Sequence, residues 1–347
     1  MVRIRHGWLV AGLGLALAFG TACKKDGKTS DPAGKGDKGG DQTAEKPSGM
    51  TGPGAAADDL SLIPRDSELV LGLNLAQVQQ SALWKQFVEP KLMTGDAAQK
   101  MNEFKAKCGF DPMSAIKSVS LGLKGVGNDN PDGVVVIHGV NKAKSWACLD
   151  SMKDEMTKDG TEYIKDGDVA IFKNKNKNDY AVAVTFINDS TALAVLGDKA
   201  NAAGVKAAAA GGSALKSSPP FLDMYGKINT GDSLWLLMNG ASKVFDKMAG
   251  LGVKPIALFG SLNVTDGLAL DMRVRLETPD AAAQLANMGK AQLQQAAKMF
   301  DKADVTNDGA DVRLSVVLSN QKLQALIAQF AGLVGAFGGM DGGKGTP

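Results

Sequence analysis

Asp66-Ser-Glu-Leu-Val-Leu-Gly-Leu-Asn74 and, much later in the chain, Asp232-Ser-Leu-Trp-Leu-Leu-Met-Asn239 share an outline: an Asp-Ser opening, a short apolar run and a closing Asn. Runs of this length bounded by turn-forming residues read as strands. Each stands at the head of a similar series. After the first come helical spacing at Val78, Ala82, Leu83, Phe87 and Val88, and a helix over 96–107 with Asp96 as N-cap and Gly109 as stop. Strands follow at 119–123 and 134–138 around the turn at 127–133. A helix capped by Asn141 carries Trp146, Leu149, Met152 and Met156; then come strands at 169–172, 180–187 and 191–196 and an Ala-rich helix over 198–210.

After the second come a helix at 241–249 and strands at 258–264 and 268–276. Thr278 and Pro279 supply the N-cap and first position of a long helix with the stripe Leu285, Met288, Leu293, Ala296, Met299 and Phe300. A strand at 312–318 leads to a last helix whose face is Leu323, Leu326, Ile327, Phe330, Leu333 and Val334. Both series read β-α-β-β-α-β-β-α, with an additional helix and strand in the first. The expected fold is therefore α+β, with antiparallel sheet or sheets, helices packed on one face, and two tandem related halves over 59–225 and 226–336. Identity between the halves is very low, so duplication and coincidence of two common orders both remain open. The joint falls in 213–230, around Pro219-Pro220.

Ahead of the folded region the chain has a different character. Arg3, Arg5 and His6 precede the apolar run Trp8–Phe19, and Gly20-Thr21-Ala22-Cys23 closes it. Twelve helical residues reach about 18 Å, well short of the roughly 30 Å hydrocarbon core. A signal peptide fits this better than a permanent span. The stretch resembles a bacterial lipoprotein precursor, whose small-small-Cys lipobox is acylated at the Cys and cut just before it. Thr21, Ala22 and Cys23 match, while Gly20 stands where that family usually has Leu. The resemblance covers residues 1–23 and implies a signal peptide over 1–22, lipidation of Cys23 and a partner in the lipid bilayer. More than one acyl chain makes such an anchor stable. Lys24 is not the Asp that signals inner-membrane retention in enteric lipoproteins, which favours the outer membrane of a cell envelope. Residues 23–58, rich in Gly, Lys, Asp, Ser and Pro, read as a disordered linker, and residues 337–347 as a flexible Gly-rich tail.

Removing the leader takes Lys plus Arg from 39 to 37, equal to the 37 acidic residues, so the expected mature chain is neutral. That balance, with aromatics at only 5%, argues against nucleic acid as a partner, because phosphate binding needs a basic surplus. Cys108 and Cys148 remain once Cys23 is acylated. In an exported compartment they form either a disulfide, worth about 4 kcal/mol in the chain-entropy model, or two separately buried thiols; the bridge is preferred.

The tests for chemistry give little. His138 is the one histidine beyond the leader, on a strand where it alternates with Val134 and Val136, and no Gly-x-Ser-x-Gly elbow accompanies it. Ser114–Lys117 and Ser213–Lys216 have Ser-x-x-Lys spacing, at the frequency chance supplies. Asn128-Asp-Asn-Pro-Asp-Gly133 has the start of a calcium loop, but its Pro and the absence of a closing Glu make it a turn. Residues 173–179 read as a solvated tip. No catalytic residue, metal site or cofactor is assigned. The expectation is a membrane-anchored envelope lipoprotein with a non-catalytic binding or structural module and an unidentified envelope protein partner. The alternative is an envelope carrier or sensor of a hydrophobic ligand, permitted by Met152, Met156, Met288 and Met299. A hydrolase of unfamiliar geometry ranks third.

Overall fold

The two strands that share an outline lie side by side. In the computed structural model, which describes residues 59–327 apart from 129, 159, 176–179, 212–213, 241, 243–244 and 246–254, β1 (Leu69–Asn74) pairs antiparallel with β8 (Leu234–Asn239). Leu71 stands opposite Leu236 at the middle of the ladder. The ends exchange equivalent bonds. Asn74 donates its N–H to the Ser233 carbonyl at 2.9 Å, and Asn239 donates to the Glu68 carbonyl at 2.9 Å. A local two-fold axis therefore passes between Leu71 and Leu236.

From β1 the chain runs through α1 (Leu75–Gln80), a π-helical turn at Trp84–Val88 that continues as Glu89–Leu92, α2 (Gly95–Cys108) and α3 (Pro112–Ala115). Next come β2 (Ser118–Lys124), β3 (Asp132–His138), α4 (Lys142–Lys158), β4 (Thr161–Asp166), β5 (Val169–Asn174), β6 (Tyr180–Asn188) and β7 (Thr191–Leu196). Then α5 (Ala202–Ala209) and α6 (Pro219–Tyr225) lead to β8. The second half adds β9 (Ala257–Asn263), β10 (Leu268–Arg275), α7 (Pro279–Ala296), β11 (Lys302–Asp308) and β12 (Asp311–Leu318), with helical residues 320–327 after it. All twelve strands form one antiparallel sheet, ordered β11-β12-β10-β9-β8-β1-β2-β3-β7-β6-β5-β4. The fold is α+β, and both halves contribute to that sheet.

The two-fold relation propagates outward through the registers. Leu69 pairs with Leu123 as Leu234 pairs with Leu262. One strand further, His138 occupies the place of Arg275, and facing them Thr191 occupies the place of Asp311. By the same steps β6 corresponds to β11 and α4 to α7. The first half carries two extra strands, β4 and β5, beyond β6.

The long helices α4 and α7 share one face of the sheet, as expected from the pattern. Trp146 of α4 meets Phe186 there, and Ala282 and Ala286 of α7 pack on Val305 and Val312. The opposite face is also covered, over the first half and the seam. There Val205 of α5 packs on Val134, Val136, Leu193 and Val195, and Phe221 and Met224 of α6 join Leu60, Ile63, Val70, Trp235, Leu237 and Phe259. Short interior strands with apolar residues on both faces require cover on both sides.

Local chemistry sets the helix ends. Asn201 accepts from the Gly204 N–H and Thr278 from the Ala281 N–H, so both cap their helices by side chain. Thr94, rather than Asp96, is the N-cap of α2, which leaves Asp96 in the first turn. Its carboxylate suits the positive end of the helix dipole. Met288 and Met299, expected on the α7 stripe, are exposed at 64% and 40%. The helix turns Ala282, Ala286 and Gly289 inward instead, because a close approach to Val305 has room only for small residues. Cys108 at the end of α2 and Cys148 in α4 form a disulfide with a Cα separation of 4.4 Å. The Met152 sulfur packs against it, and Lys107 pairs with Glu155 nearby. The signal peptide, Cys23, the linker, the 241–249 helix apart from Ser242 and Phe245, the tip at 176–179, Phe330, Leu333, Val334 and the tail lie outside the described residues.

Gly72 pairs directly with Trp235, whose indole, 2% exposed, lies flat across the glycine. A Cβ built there would overlap the indole ring. Gly72→Ala is expected to destabilise the protein by about 2 kcal/mol through overpacking. Trp235→Leu in the same chain should return part of that loss in urea unfolding, because it removes the obstructing ring.

Candidate functional site

His138 ends β3 on the face covered by α5, as its alternation with Val134 and Val136 implies. Its Nε2 lies 2.9 and 3.0 Å from the two carboxylate oxygens of Asp59, and its Nδ1 lies 3.2 Å from the Thr191 hydroxyl on the facing strand. The order carboxylate, imidazole, hydroxyl is that of a nucleophilic relay. Burial decides against that use. Thr191 is 3% exposed, so its hydroxyl has no room for a substrate carbonyl, and Asp59 is 2% exposed. The arrangement is a pin: it fixes the first described segment, Asp59–Ser67, across the sheet before the chain enters β1.

The second half has a counterpart built from different residues. Arg275, in the place of His138, donates from Nε and Nη2 to the two carboxylate oxygens of Asp311 at 2.6 and 2.9 Å. It also pairs with Asp223 of α6 at 2.7 Å, and its guanidinium stands 5.2 Å from the Phe259 ring centroid. Lys227, just beyond α6, reaches Asp311 at 2.8 Å. In each half an acid on the segment leading into the seam strand thus grips the residue that ends the third strand of its half. Burial works against the charge on Asp311, but hydrogen bonds from Arg275 and then Lys227 outweigh it and hold the carboxyl below its usual range. The same bond to Asp311 raises Arg275 further above its already high value.

At the ends of β3 and β7 away from the first pin lies an open groove of about 790 Å³ between α5, the 61–67 segment and the ends of β2, β3 and β7. Its floor is Gly122, Gly133, Val134, Val195 and Leu196, and α5 contributes Gly204, Ala207 and Ala208. Arg65, Asp66, Lys124, Asp132 and Lys199 make the rim. Lys124 donates to Asp66 at 2.7 Å, which lowers the Asp66 carboxyl from its usual value and raises the ammonium. Asp132 accepts from the Asp198 N–H at 2.9 Å, a close approach that needs Gly197 at φ +81°. Arg65 and Lys199 form no ion pair among the described residues. The groove therefore offers an apolar, small-residue floor beneath a rim of mixed charge that includes Arg65 and Lys199. It can hold an elongated apolar chain with a negative end.

The other sequence candidates resolve into ordinary structure. Lys117 donates to the Ser114 carbonyl at 2.8 Å, and the Ser114 hydroxyl bonds to the Asp111 carbonyl, so the pair does not make an activated nucleophile. Ser213 lies outside the described residues. The calcium-like stretch belongs to the β2–β3 connection, which bends at Gly125 and Gly127 with positive φ. Among the described residues no group of three or more His, Cys, Asp or Glu is placed to hold a metal ion. Met152 and Met156 are buried core on α4. Sequence reasoning did not find the groove or either pin, because their members come from distant segments. The only local signal was His138 sharing a face with valines. No family model, curated protein or solved structure matches the chain.

Two outcomes follow from the pins. Asp311→Asn should cost about 3 kcal/mol, since it leaves Arg275 and Lys227 without their buried anion. Because the Asp311 carboxyl titrates lower when folded, its stabilisation is complete above about pH 4 and is lost as pH falls through the folded value. Urea midpoints measured from pH 7 to pH 2 should therefore fall less steeply with acid in the Asn variant than in the wild type. His138→Ala should also destabilise, by about 2–3 kcal/mol, by leaving the buried Asp59 carboxylate unpaired.

Proposed function

We propose that the chain is a cell-envelope lipoprotein, held to a bilayer through acylated Cys23, whose folded body is a non-catalytic binding or structural module. The observation that carries the reading is the run from Arg3 through the apolar Trp8–Phe19 to Thr21-Ala22-Cys23. A polar stretch of chain follows it, and the body begins at a pinned residue, Asp59. Pull transmitted along the chain from the membrane would reach the sheet at the Asp59–His138 contact rather than at a free end. The partners in this reading are the bilayer and an envelope protein, with the outer membrane as the favoured location. Among the described residues no helix is long and apolar enough to cross a membrane. That observation is compatible with anchoring by lipid.

The groove favours one second reading, a carrier of a hydrophobic ligand with an anionic end. Gly, Ala, Val and Leu give the chain a smooth bed, while Arg65 and Lys199 give the charge a place to rest. The two readings separate by what leaves the protein on organic extraction. A carrier releases a stoichiometric amphiphile, and a binding or structural module releases none, because the acyl chains on Cys23 are covalently held and stay with the protein.

The anchoring itself is tested with Cys23→Ser. The wild-type chain should partition into the detergent phase and show a mass increment of diacylglycerol plus an acyl chain. The variant should stay in the aqueous phase without the increment. Identical behaviour of the two, with no fatty acid on either, would remove the reading.

A further inference from the structure

The twelve-stranded sheet ends in two strands whose outer backbone groups face no other strand, β4 and β11. They are not alike. On β4 two of the three charged side chains have partners within the chain: Lys165 pairs with Asp150 at 3.3 Å and Glu162 with Lys175 at 3.8 Å. On β11, Lys302 and Asp308 form no ion pair among the described residues. The two-fold relation sharpens the contrast. β11 stands where β6 stands in the first half, and the outer edge of β6 is covered by β5 in antiparallel pairing. In the second half no strand among the described residues occupies the corresponding position. An exposed edge is a ready template for another strand.

We propose that β11 pairs antiparallel with β11 of a second copy of this chain, about a two-fold axis through Val305. The sequence Lys302-Ala-Asp-Val-Thr-Asn-Asp308 selects that register. Two-fold symmetry perpendicular to a sheet requires some residue to face its own counterpart, because residues that face each other must point to the same side. Centring on Val305 overlaps the whole strand. Lys302 then faces Asp308 of the other copy, twice, and Val305 faces Val305, an apolar β-branched pair of the kind that stabilises ladders. Centring on Asp304 sets two aspartates against each other. Centring on Thr306 sets Asp304 against Asp308, twice. Of the registers that overlap five residues or more, one pairs opposite charges and the other two pair like charges. Lys302 and Asp308 lie on the same face of the strand, so the contact meets without a twist of the backbone. α7 lies across the other face, with Gly289 against Val305, and Val305 is the one buried residue of the strand.

The occupant is a second copy because the strand is complementary to itself. A peptide partner would have no reason to find its opposite charges spaced by the same six residues. The test uses the mature chain in non-ionic detergent, with association measured by sedimentation equilibrium and folding checked by circular dichroism. Lys302→Asp and Asp308→Lys should each weaken the dimer by at least about tenfold, since each converts two attractive pairs into two repulsive ones. The double variant should restore association to near the wild-type constant, because it exchanges the charges and keeps the register. A wild-type chain that remains monomeric at the highest attainable concentration overturns the proposal. So does a dimer that is indifferent to the single reversals, or a double variant that fails to recover.

Discussion

The β1–β8 ladder is the constraint on which the rest of the fold depends. It joins two segments separated by nearly half of the chain, and it does so with an equivalent bond at each end. A one-residue slip there would turn every side chain of one half to the wrong face, because the period along a strand is two. The Gly72–Trp235 contact prevents the slip. Trp235 needs a neighbour without a side chain, and β1 has one glycine. Moving the indole by one position would set it against a leucine. Once that register is fixed, each further strand on either side inherits it, so equivalence between the halves extends from the seam to β6 and β11.

The parts of this fold that were legible in sequence are the parts where local chemistry and burial agree. Interior strands such as Val134–His138 and Thr191–Leu196 are apolar on both faces and stand out at once. The two strands that sequence reading passed over, Thr161–Asp166 and Lys302–Asp308, are the two edges. An edge strand buries one face partly and has no neighbour on one side, so charged residues are tolerated and even useful there. Their apolar signal falls to a few residues. The turns that follow them, at Gly167 and Gly309, have positive φ and are the stronger local sign of a hairpin. The Met288 and Met299 assignment failed for a related reason. Helical spacing identifies a stripe but cannot say which side the sheet selects, and here the small residues were chosen for closeness to Val305.

Neither pin was visible from the sequence, although each rests on ordinary hydrogen-bonding side chains. Arg275 meets Asp311 only through the pairing of β10 with β12, and Asp59 meets His138 only because the 59–67 segment crosses the face of the sheet. The residues differ in type while their positions correspond, so a comparison of the two halves by identity has nothing to find. What is repeated is a requirement. A segment that crosses the face of a sheet exposes its own backbone and must be held, and a side-chain contact with an acid at the end of the third strand of each half does this in both. The buried ion pair in the second half is specific in direction as well as in place, since a guanidinium grips both carboxylate oxygens.

Function is best sought where the equivalence breaks. On the face under α5, the first half has Val134, Val136, Leu193 and Val195; the corresponding positions of the second half are Asp271, Arg273, Arg313 and Ser315. Four apolar residues need a helix over them, and α5 supplies it. In the second half the four polar positions include the Arg313–Asp271 pair at 2.5 Å, and they need no cover, so the described helices of that half lie on the other face. A helix laid over only one of two equivalent patches leaves a margin where its cover stops. The groove is that margin: its floor is the valine end of the patch, and its outer wall is the segment pinned by His138. Among the described residues the corresponding patch of the second half is polar. The apolar bed with its charged rim therefore follows from the four apolar positions of the first half, at the ends of β3 and β7 away from the Asp59–His138 contact.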